Sequence, residues 1–302
     1  MRCWKYIFVL LVLANILLFL AIFKHDDNLH LVFCDVGQGD GILVYRKNIQ
    51  VVIDGGPDRK ILSCLGRHMS FFDRQIEYVV LTNSDLDHYG GLIDIFQRFR
   101  VLGYGTSGVQ KDDGAFRELV SSIRIENIVP TNIFLGNRMK ISSSASESIN
   151  QENIKFEAVW PPKNIDILRE NNYLEGQDVN TNSVVLELEY NRFRALLTGD
   201  IVPPATDLMV EVWREMNFAN PRADILKVPH HGSKNGLTEA LAENTMPSLA
   251  VISDGKDNKF GHPHEETLRI LGNLGIRILR TDQVGEIEIV TDGENWWVQH
   301  PR

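Results

Sequence analysis

Three apolar, strand-like runs in this chain each end in a short turn that carries carboxylate or imidazole side chains. The runs and their polar side chains are YVVL followed by Asp85, Asp87 and His88; FRALL followed by Asp200; and ADILKV followed by His230 and His231. Side chains just past strand ends are held by a rigid element and still face solvent. One such turn would be weak evidence, because a strand-ending Asp is more often a turn or cap residue. Three of them predict a metal site at the edge of a β-sheet.

Strand-like and helical segments alternate through both halves of the chain. The strand-like runs are 31–34, 42–45, 50–53, 78–81, 155–160, 183–190 and 193–200, followed by ADILKV, SLAVIS, IRILRT, EIEIV and WWVQH; the helical patterns are 61–69, 91–99, 206–216 and 265–274. This order predicts an α/β fold with two sheets packed between helices, a four-layer αββα sandwich. The polar residues 143–153 predict a mobile insertion, and the turn-rich residues 161–180 predict a loop at the border of the site.

The first 29 residues differ in composition from the rest of the chain. The run YIFVLLVLANILLFLAIF (6–23) carries no charge, and as a helix it is just long enough to cross a hydrocarbon core of roughly 30 Å. Arg2 and Lys5 precede it, and the positive-inside rule then leaves the N-terminus in the cytoplasm. No small-x-small cleavage site follows, which favours an uncleaved anchor over a signal peptide. We therefore expect a single-pass membrane anchor at 1–29, with a transmembrane helix over about 6–23, and one globular domain at 30–302 outside the membrane.

Charge and cysteine content narrow the possible partners. The formal net charge of −9 argues against a generally basic nucleic-acid-binding surface, because phosphate affinity comes largely from Lys and Arg. A local basic cleft, or a metal that supplies positive charge, remains possible. Cys3, Cys34 and Cys64 are expected to be buried free thiols rather than a disulfide framework. A bridge between Cys34 and Cys64 stays open for a domain outside the cell.

The order of the polar turns resembles a known hydrolase fold. Segments similar to the metallo-β-lactamase fold, whose signature is T-H-x-H-x-D-H, are IDGG (53–56), TNSDLDH (82–88), TGD (198–200) and VPHHGS (228–233). Segments that more narrowly resemble the extracytoplasmic hydrolase domain of the ComEC family of DNA-uptake proteins are FCDVGQGDGILV (33–44), NSVVLEL (182–188), LKVPHHGS (226–233) and NKFGHPHEETL (258–268). The resemblance covers nearly all of residues 30–293. It implies a stand-alone hydrolase domain, without the multi-helix channel and small OB-type domain of full ComEC proteins.

The resemblance implies one well-formed metal site and one altered site. Residues that match the ligands of the first site are Asp87, His88, Asp200 and His231, with the adjacent His230 as the alternative to His231. In the second site, Asn83 and Asp85 replace the first two histidines of the signature, and no histidine lies between His88 and His230. Amide and carboxylate oxygens suit Mn²⁺ better than they suit Zn²⁺. We expect Zn²⁺ or Mn²⁺, with one ion held firmly and a second, at Asp85 and Asn83, held weakly or not at all.

Several side chains are candidates for catalysis around such a metal. Asp87, or Asp85, would orient a metal-activated water. Lys227, His230 and His262 would stabilise developing charge or protonate a leaving group. Lys227 could equally face outward from its strand, and His262 could serve only its Gly-His-Pro turn. Residues expected to support the ligands are Asp35, Asp40, Asp54, Asn182 and Ser233.

The resemblance implies a metal-dependent phosphodiesterase or nuclease that acts on nucleic acid or nucleotides outside the membrane. Two other functions fit the same residues. With Asn83 breaking one site, the domain could be a non-catalytic or single-metal binding module. A lactonase or other small-ester hydrolase also remains open, because metal ligands alone do not choose between phosphoryl and acyl substrates. Protein partners cannot be inferred from these motifs.

Overall fold

The computed structural model describes residues 26–299 except 110, 112, 142–153, 164–178 and 216–221, and of the first 25 residues only 4, 6, 8 and 10–13. The strands are β1 (Leu29–Phe33), β2 (Gly41–Arg46), β3 (Ile49–Gly55), β4 (Gln75–Ile76), β5 (Tyr78–Leu81), β6 (Arg100–Val101), β7 (Tyr104–Thr106), β8 (Thr131–Asn132), β9 (Arg138–Ile141), β10 (Ile154–Trp160), β11 (Val185–Tyr190), β12 (Phe193–Leu197), β13 (Ile225–Lys227), β14 (Leu249–Ile252), β15 (Arg277–Arg280), β16 (Ile287–Thr291) and β17 (Trp296–Gln299). The helices are α1 (Lys60–His68), α2 (Leu86–Arg98), α3 (Gly114–Ile125), α4 (Ala205–Glu215), α5 (Glu239–Thr245), α6 (Glu265–Asn273) and α7 (Thr281–Val284).

The strands of the described residues form two large sheets. The first has the order β17-β16-β1-β2-β3-β5-β7-β8, and the second has the order β15-β14-β13-β12-β11-β10-β9. Strands β3, β5 and β7 run parallel in the first sheet, as do β12, β13, β14 and β15 in the second. Parallel strands bring their carboxyl ends to one edge of a sheet. The three ligand-bearing turns follow β5, β12 and β13, so this pairing places them at the sheet edges.

Buried apolar residues fill three layers of packing. The layer between the sheets includes Phe33 from the first sheet and Leu188 from the second. Helices α1, α2 and α3 pack on the outer face of the first sheet, where Leu92 belongs to a second cluster. Helices α4, α5 and α6 cover the second sheet in the same way, with Met209 and Leu241 in a third cluster. Helix, sheet, sheet and helix form an α/β sandwich with the predicted four layers.

Parts of the predicted organisation lie outside the described residues. Most of the apolar run 6–23 is among them, as are the predicted insertion at 143–153 and most of the loop 161–180. Across the residues that are described, none of the helices combines the length and the apolar character needed to cross a bilayer. The anchor at 1–29 therefore stays a prediction.

The cysteine prediction was wrong for one pair. Cys34 and Cys64 form a disulfide, with their Cα atoms 5.8 Å apart. Cys34 follows β1 directly and Cys64 lies on α1, which packs over the outer face of that sheet. Their pairing depends on which helix covers the strand, and the two residues are 30 positions apart in sequence. A bridge between these two cysteines, the alternative that the sequence left open, is therefore the one realised.

Candidate metal centre

Four side chains with metal-binding atoms meet at the edges of the two sheets. The ligand atoms of this cluster, which lie within 4.8 Å of one another, belong to Asp87, His88, Asp200 and His231. Asp200 is central, because its Oδ2 lies 3.1 Å from His88 Nε2 and 3.3 Å from His231 Nε2. The structure thus brings together the four residues that the sequence assigned to the firm metal site, and it places His231 rather than His230 in the cluster.

The turn between β5 and α2 positions two of the four ligands. Helix α2 begins at Leu86, so Asp87 and His88 lie in its first turn. Asp54 Oδ2 lies 2.9 Å from His88 Nδ1 and also accepts the hydroxyl of Thr82 at 2.5 Å, while its Oδ1 accepts the Thr82 N–H at 2.8 Å. A carboxylate against Nδ1 fixes the ring and leaves Nε2 free to bind a metal. Asp54 therefore fixes the orientation of the His88 ring.

The turn after β13 positions the remaining histidine. His230 and His231 both have left-handed backbone conformations, with φ values of 49° and 53°. Such conformations are costly for residues other than glycine and cluster at functional sites. His231 Nδ1 donates to the carbonyl oxygen of Ser253 at 2.9 Å, so its Nε2 faces Asp200. The backbone turn and the Ser253 carbonyl together fix both the position and the tautomer of His231.

The donor set fits a divalent cation. The Nε2 atoms of His88 and His231 are buried next to carboxylates and make no hydrogen bond. Both Nδ1 atoms are already engaged, so a cation is the natural partner for each Nε2. Of the surrounding carboxylates of Asp40, Asp54, Asp87 and Asp200, those of Asp40 and Asp200 share one ammonium group, that of Lys227. A divalent ion would offset this excess of negative charge. Two imidazoles and two carboxylates are compatible with both Zn²⁺ and Mn²⁺.

The proton affinities of the cluster reflect the same charge excess. Burial lowers the pKa of His231, but the charges of Asp200 and Asp40 outweigh it and raise this pKa to about 10. Burial likewise lowers the pKa of His88, which the carboxylates of Asp200 and Asp54 then raise well above its usual value. Burial raises the pKa of Asp200, yet the charges of His231 and His88 hold it well below its usual value. A bound metal would displace the two imidazolium protons, because only the neutral ring is a ligand.

Lys227 does not reach the opening of the site. Its side chain is fully buried, and its ammonium group contacts the carboxylate of Asp40, the carbonyl oxygen of Gly199 at 2.8 Å and Asp200 Oδ1 at 3.5 Å. Burial lowers its pKa, but Asp40 and Asp200 raise it above the usual value, so the group stays charged. The predicted catalytic role and the alternative outward orientation both give way to a structural one. Lys227 holds two carboxylates in place from beneath the metal cluster.

Asn83 and Asp85 do not form a second cluster of ligands. The Asn83 amide donates to Asn180 Oδ1 and, at 3.4 Å, to Ser183 Oγ, while its oxygen accepts the N–H of Asp85 at 2.9 Å. The Asp85 carboxylate pairs with Lys111. In the described part of the chain, no metal-compatible group of three or more His, Cys, Asp or Glu side chains includes Asp85. Hydrogen bonds and an ion pair thus take up the donors and acceptors that the predicted weak site would need.

Two further histidines line the mouth of the site. His230 is 26% exposed, and its Nε2 lies 3.9 Å from Asp200 Oδ2. The ring of His262 lies 6.0 Å from the ring of His230 and 6.4 Å from that of His231. Burial, followed by the charges of His231 and His230, lowers the pKa of His262 to about 4. His262 is therefore neutral near pH 7, and its ring lies beside the cluster.

The remaining predicted supports differ in where they lie. Asp40 is buried against Lys227, with Oδ1 3.5 Å from His231 Nδ1, as a support should be. Ser233 is buried, and its N–H donates to the carbonyl oxygen of His230 at 2.8 Å, which closes the histidine turn. Asn182 is buried in the short turn that precedes β11.

Asp35 was a wrong prediction, because it is exposed and its Oδ1 accepts the N–H of Gly37 at 3.3 Å within its own turn.

Gly39 explains how the neighbouring residues approach the site. Its φ is 134°, and a Cβ at this position would lie 2.2 Å from the carbonyl oxygen of Asp87. The glycine lets the backbone run against α2, so that the N–H of Asp40 donates to that oxygen at 3.1 Å.

An α/β sandwich with a four-ligand cluster at its strand ends defines a fold class of metal-dependent hydrolases. Residues 34–253 match the family model described as the metallo-beta-lactamase superfamily, and the chain belongs to this superfamily. The solved structure of the metallo-beta-lactamase fold protein YhfI from Bacillus subtilis is similar in fold, with a TM-score of 0.51, 9% identity, and coverage of 90% of this chain and 100% of that one.

Curated relatives agree with the ComEC resemblance. ComE operon protein 3 of Bacillus subtilis is 29% identical over 219 residues, which are 71% of this chain and 24% of that protein. Competence protein ComA of Neisseria gonorrhoeae is 24% identical over 255 residues, which are 84% of this chain and 31% of that protein. The chain thus spans about a quarter to a third of the length of these relatives.

Proposed function

We propose that the domain is a metal-dependent phosphodiesterase that cleaves nucleic acid or nucleotides. The observation that carries this proposal is the cluster of four ligand atoms within 4.8 Å of one another, in which both histidine Nε2 atoms lack a hydrogen bond. The choice of a phosphoryl substrate is supported by similarity to proteins named for competence and by the ComEC-like motifs of the sequence.

The chain's own residues prepare the site for hydrolysis. A divalent cation held by the four ligands would activate a bound water and polarise a phosphoryl oxygen. The side chain of Asp87 is 32% exposed, whereas the other three ligand residues are buried, so its carboxylate is the one placed to orient an attacking water. His262, neutral near pH 7, lies at the same opening, where its ring can form a hydrogen bond with a bound substrate. Asp54 and the Ser253 carbonyl hold the two ligand imidazoles in the productive tautomer.

We also propose that the domain acts outside the membrane, behind an anchor at 1–29. The uncharged run at 6–23 and the Arg and Lys that precede it support this placement. The disulfide between Cys34 and Cys64 supports it independently, because such bonds persist in oxidising compartments.

A substrate screen on the full chain tests the proposed reaction. Purified protein, supplied with Mn²⁺ or Zn²⁺, would be assayed on single-stranded DNA, double-stranded DNA, RNA and bis-p-nitrophenyl phosphate. We expect cleavage that is lost in Asp200→Ala and His231→Ala and retained in Asp35→Ala, which changes an exposed carboxylate outside the cluster. Cleavage of lactones or carboxylic esters instead would select the ester hydrolase. Absence of both metal and activity would select the binding module.

Metal content tests the number of ions. The hydrogen bonds of Asn83 and the Asp85–Lys111 pair favour one ion per chain. We therefore expect one equivalent in the wild type, and still one in Asn83→His, because the new imidazole leaves Asp85 paired with Lys111. A second equivalent of metal and higher activity in Asn83→His would contradict this and would show that the second site is an attenuated form of the usual one.

A further inference from the structure

We propose that Phe260 is a stacking platform for a nucleobase, so that the substrate is a single-stranded nucleic acid whose base rests on this ring while its phosphate lies at the metal centre. The inference builds on the proposed phosphodiesterase function and specifies its substrate class. Phe260 lies in the loop between β14 and α6, directly before the Gly-His-Pro turn that carries His262.

The ring of Phe260 is presented to solvent beside the site. It stacks on the ring of His262, with a centroid distance of 5.6 Å and an interplanar angle of 24°. His262 in turn stacks toward the ligand His231, with a centroid distance of 6.4 Å. Phe260 is nevertheless 63% exposed, which leaves its other face open. An aromatic ring with one face supported and one face free is the geometry that accepts a stacked base.

A single side chain holds the platform in place. Asn258 Oδ1 accepts the N–H of Phe260 at 3.2 Å and the N–H of His262 at 2.9 Å. Its amide group donates to the carbonyl oxygen of His262 at 2.8 Å and to the buried carboxylate of Asp254 at 3.2 Å. The loop is therefore fixed before a ligand arrives, which reduces the entropy lost on binding.

Exposed charged side chains of both signs lie near the ring in sequence. Lys256 and Lys259 are exposed in the same loop, and so are Asp257 and, at the start of α6, Glu265 and Glu266. Lys234 is exposed on the neighbouring turn, where its backbone N–H donates to His264 Nδ1 at 3.3 Å. Lysines around an exposed aromatic ring are the usual composition of a single-strand binding surface, where the lysines attract phosphates and the ring stacks a base. Because three exposed carboxylates balance these three lysines, the stacking geometry of Phe260, rather than local charge, carries the proposal.

Stacking also predicts which nucleic acid is preferred. The bases of a duplex are already stacked and paired, and exposing one of them costs a few kcal/mol. Single strands present their bases without that cost. The platform therefore predicts that the protein prefers single-stranded over double-stranded DNA. The metal ligands alone predict no such preference.

The test compares binding by variants of the full chain. Fluorescence anisotropy with a labelled oligothymidylate would be measured on wild type, Phe260→Ala, Phe260→Leu and Phe260→Trp, first without added metal and then with Mn²⁺. We expect roughly tenfold weaker binding for Phe260→Ala, nearly as much loss for Phe260→Leu, and full affinity for Phe260→Trp. Phe72→Ala is the matched control, because Phe72 is also exposed, at 73%, but belongs to the loop between α1 and β4. It should bind as the wild type does.

An abasic oligonucleotide separates stacking from phosphate contact. The wild type should lose affinity when the bases are removed, and Phe260→Ala should show no such difference. Equal weakening of both ligands by Phe260→Ala, or full affinity in Phe260→Leu, would overturn the platform. If the wild type binds in a base-dependent way but does not cleave, the platform stands and the phosphodiesterase proposal fails. If it cleaves but its binding does not depend on the bases, the phosphodiesterase proposal stands and the platform fails.

Discussion

Replacing Asp54 by Asn changes one hydrogen-bonding group and should reverse the tautomer of a metal ligand. Asp54 uses Oδ1 for the Thr82 N–H and Oδ2 for both the Thr82 hydroxyl and His88 Nδ1. An Asn of the same shape can still accept the Thr82 N–H, but its NH₂ group then faces His88 Nδ1. That nitrogen must become an acceptor, and its proton moves to Nε2, the atom that faces Asp200. Nε2 can then bind the metal only by giving up this proton, and the new NH₂ group does not allow Nδ1 to carry it instead.

The magnitude follows from the role of the lost contact. Removing a carboxylate behind a ligating histidine typically costs 10–100-fold in metal affinity. Tautomer reversal places Asp54→Asn at the upper end, roughly 100-fold, which is about 2.8 kcal/mol. Competition of the full chain with a chelator of known Zn²⁺ affinity measures this loss. Asp35→Asn is the matched control, because it removes an exposed carboxylate that contacts only its own turn. Wild-type affinity in Asp54→Asn, with an unchanged unfolding transition, would refute the assigned role.

Three further outcomes concern stability and are measured by urea unfolding of the full chain. Replacing Cys34 and Cys64 by Ser opens a loop with a sequence separation of 30, and loop entropy predicts a loss of about 3.6 kcal/mol; no loss would show that the bridge is not formed. Lys227→Met leaves buried carboxylates without their counter-charge and should cost about 3–5 kcal/mol; a neutral effect would contradict the buried ion pair. Burial lowers the pKa of His30, but Glu288 and a second carboxylate raise it above the usual value. The stabilisation that His30 provides is therefore complete below pH about 6.5 and is lost as pH rises through its folded pKa, so the difference in unfolding free energy between wild type and His30→Gln should shrink as the pH rises above about 6.5.

The architecture was predictable because it depends on local signals, whereas the grouping of the four candidate metal ligands followed from the resemblance. Apolar runs set the strands, and β5 (Tyr78–Leu81) has the predicted bounds. Parallel pairing brings the ends of β12 and β13 to one edge of the second sheet. His88 follows β5 in the first sheet, so its grouping with Asp200 was predictable only from the resemblance to the hydrolase fold. Helix α2 was predicted too short, from 91 instead of Leu86, because its first turn consists of polar ligand residues rather than an apolar face.

Contacts between distant elements were not predictable in the same way. The segment DVGQGD contains Asp35 and Asp40, and the sequence assigned both to the site. Two positive φ angles, at Gly37 and Gly39, reverse the chain between them. Only Asp40 is therefore buried against the cluster, while Asp35 faces solvent. Strand periodicity gives no information across such a turn.

The supporting contacts of Asn83 had no signal in the sequence at all. Its partner Asn180 is 97 residues away in the chain, in a turn that leads into the second sheet. The amide network thereby joins the loop after β5 in the first sheet to the loop before β11 in the second. Ser183 extends the network, because its hydroxyl accepts both the Asn83 amide at 3.4 Å and the N–H of Asp200 at 3.2 Å.

This network provides a structural role for an asparagine at position 83, where the metal-binding signature has a histidine. A histidine has two ring nitrogens, whereas the amide of Asn83 offers two donors and an acceptor and uses them on three partners from two loops. The same bonds that link the loops hold the N–H of Asp200 through Ser183. Asn83 thus steadies a ligand of the firm site. The departure from the signature therefore has a structural role beside the candidate metal centre, through Ser183 and the backbone of Asp200.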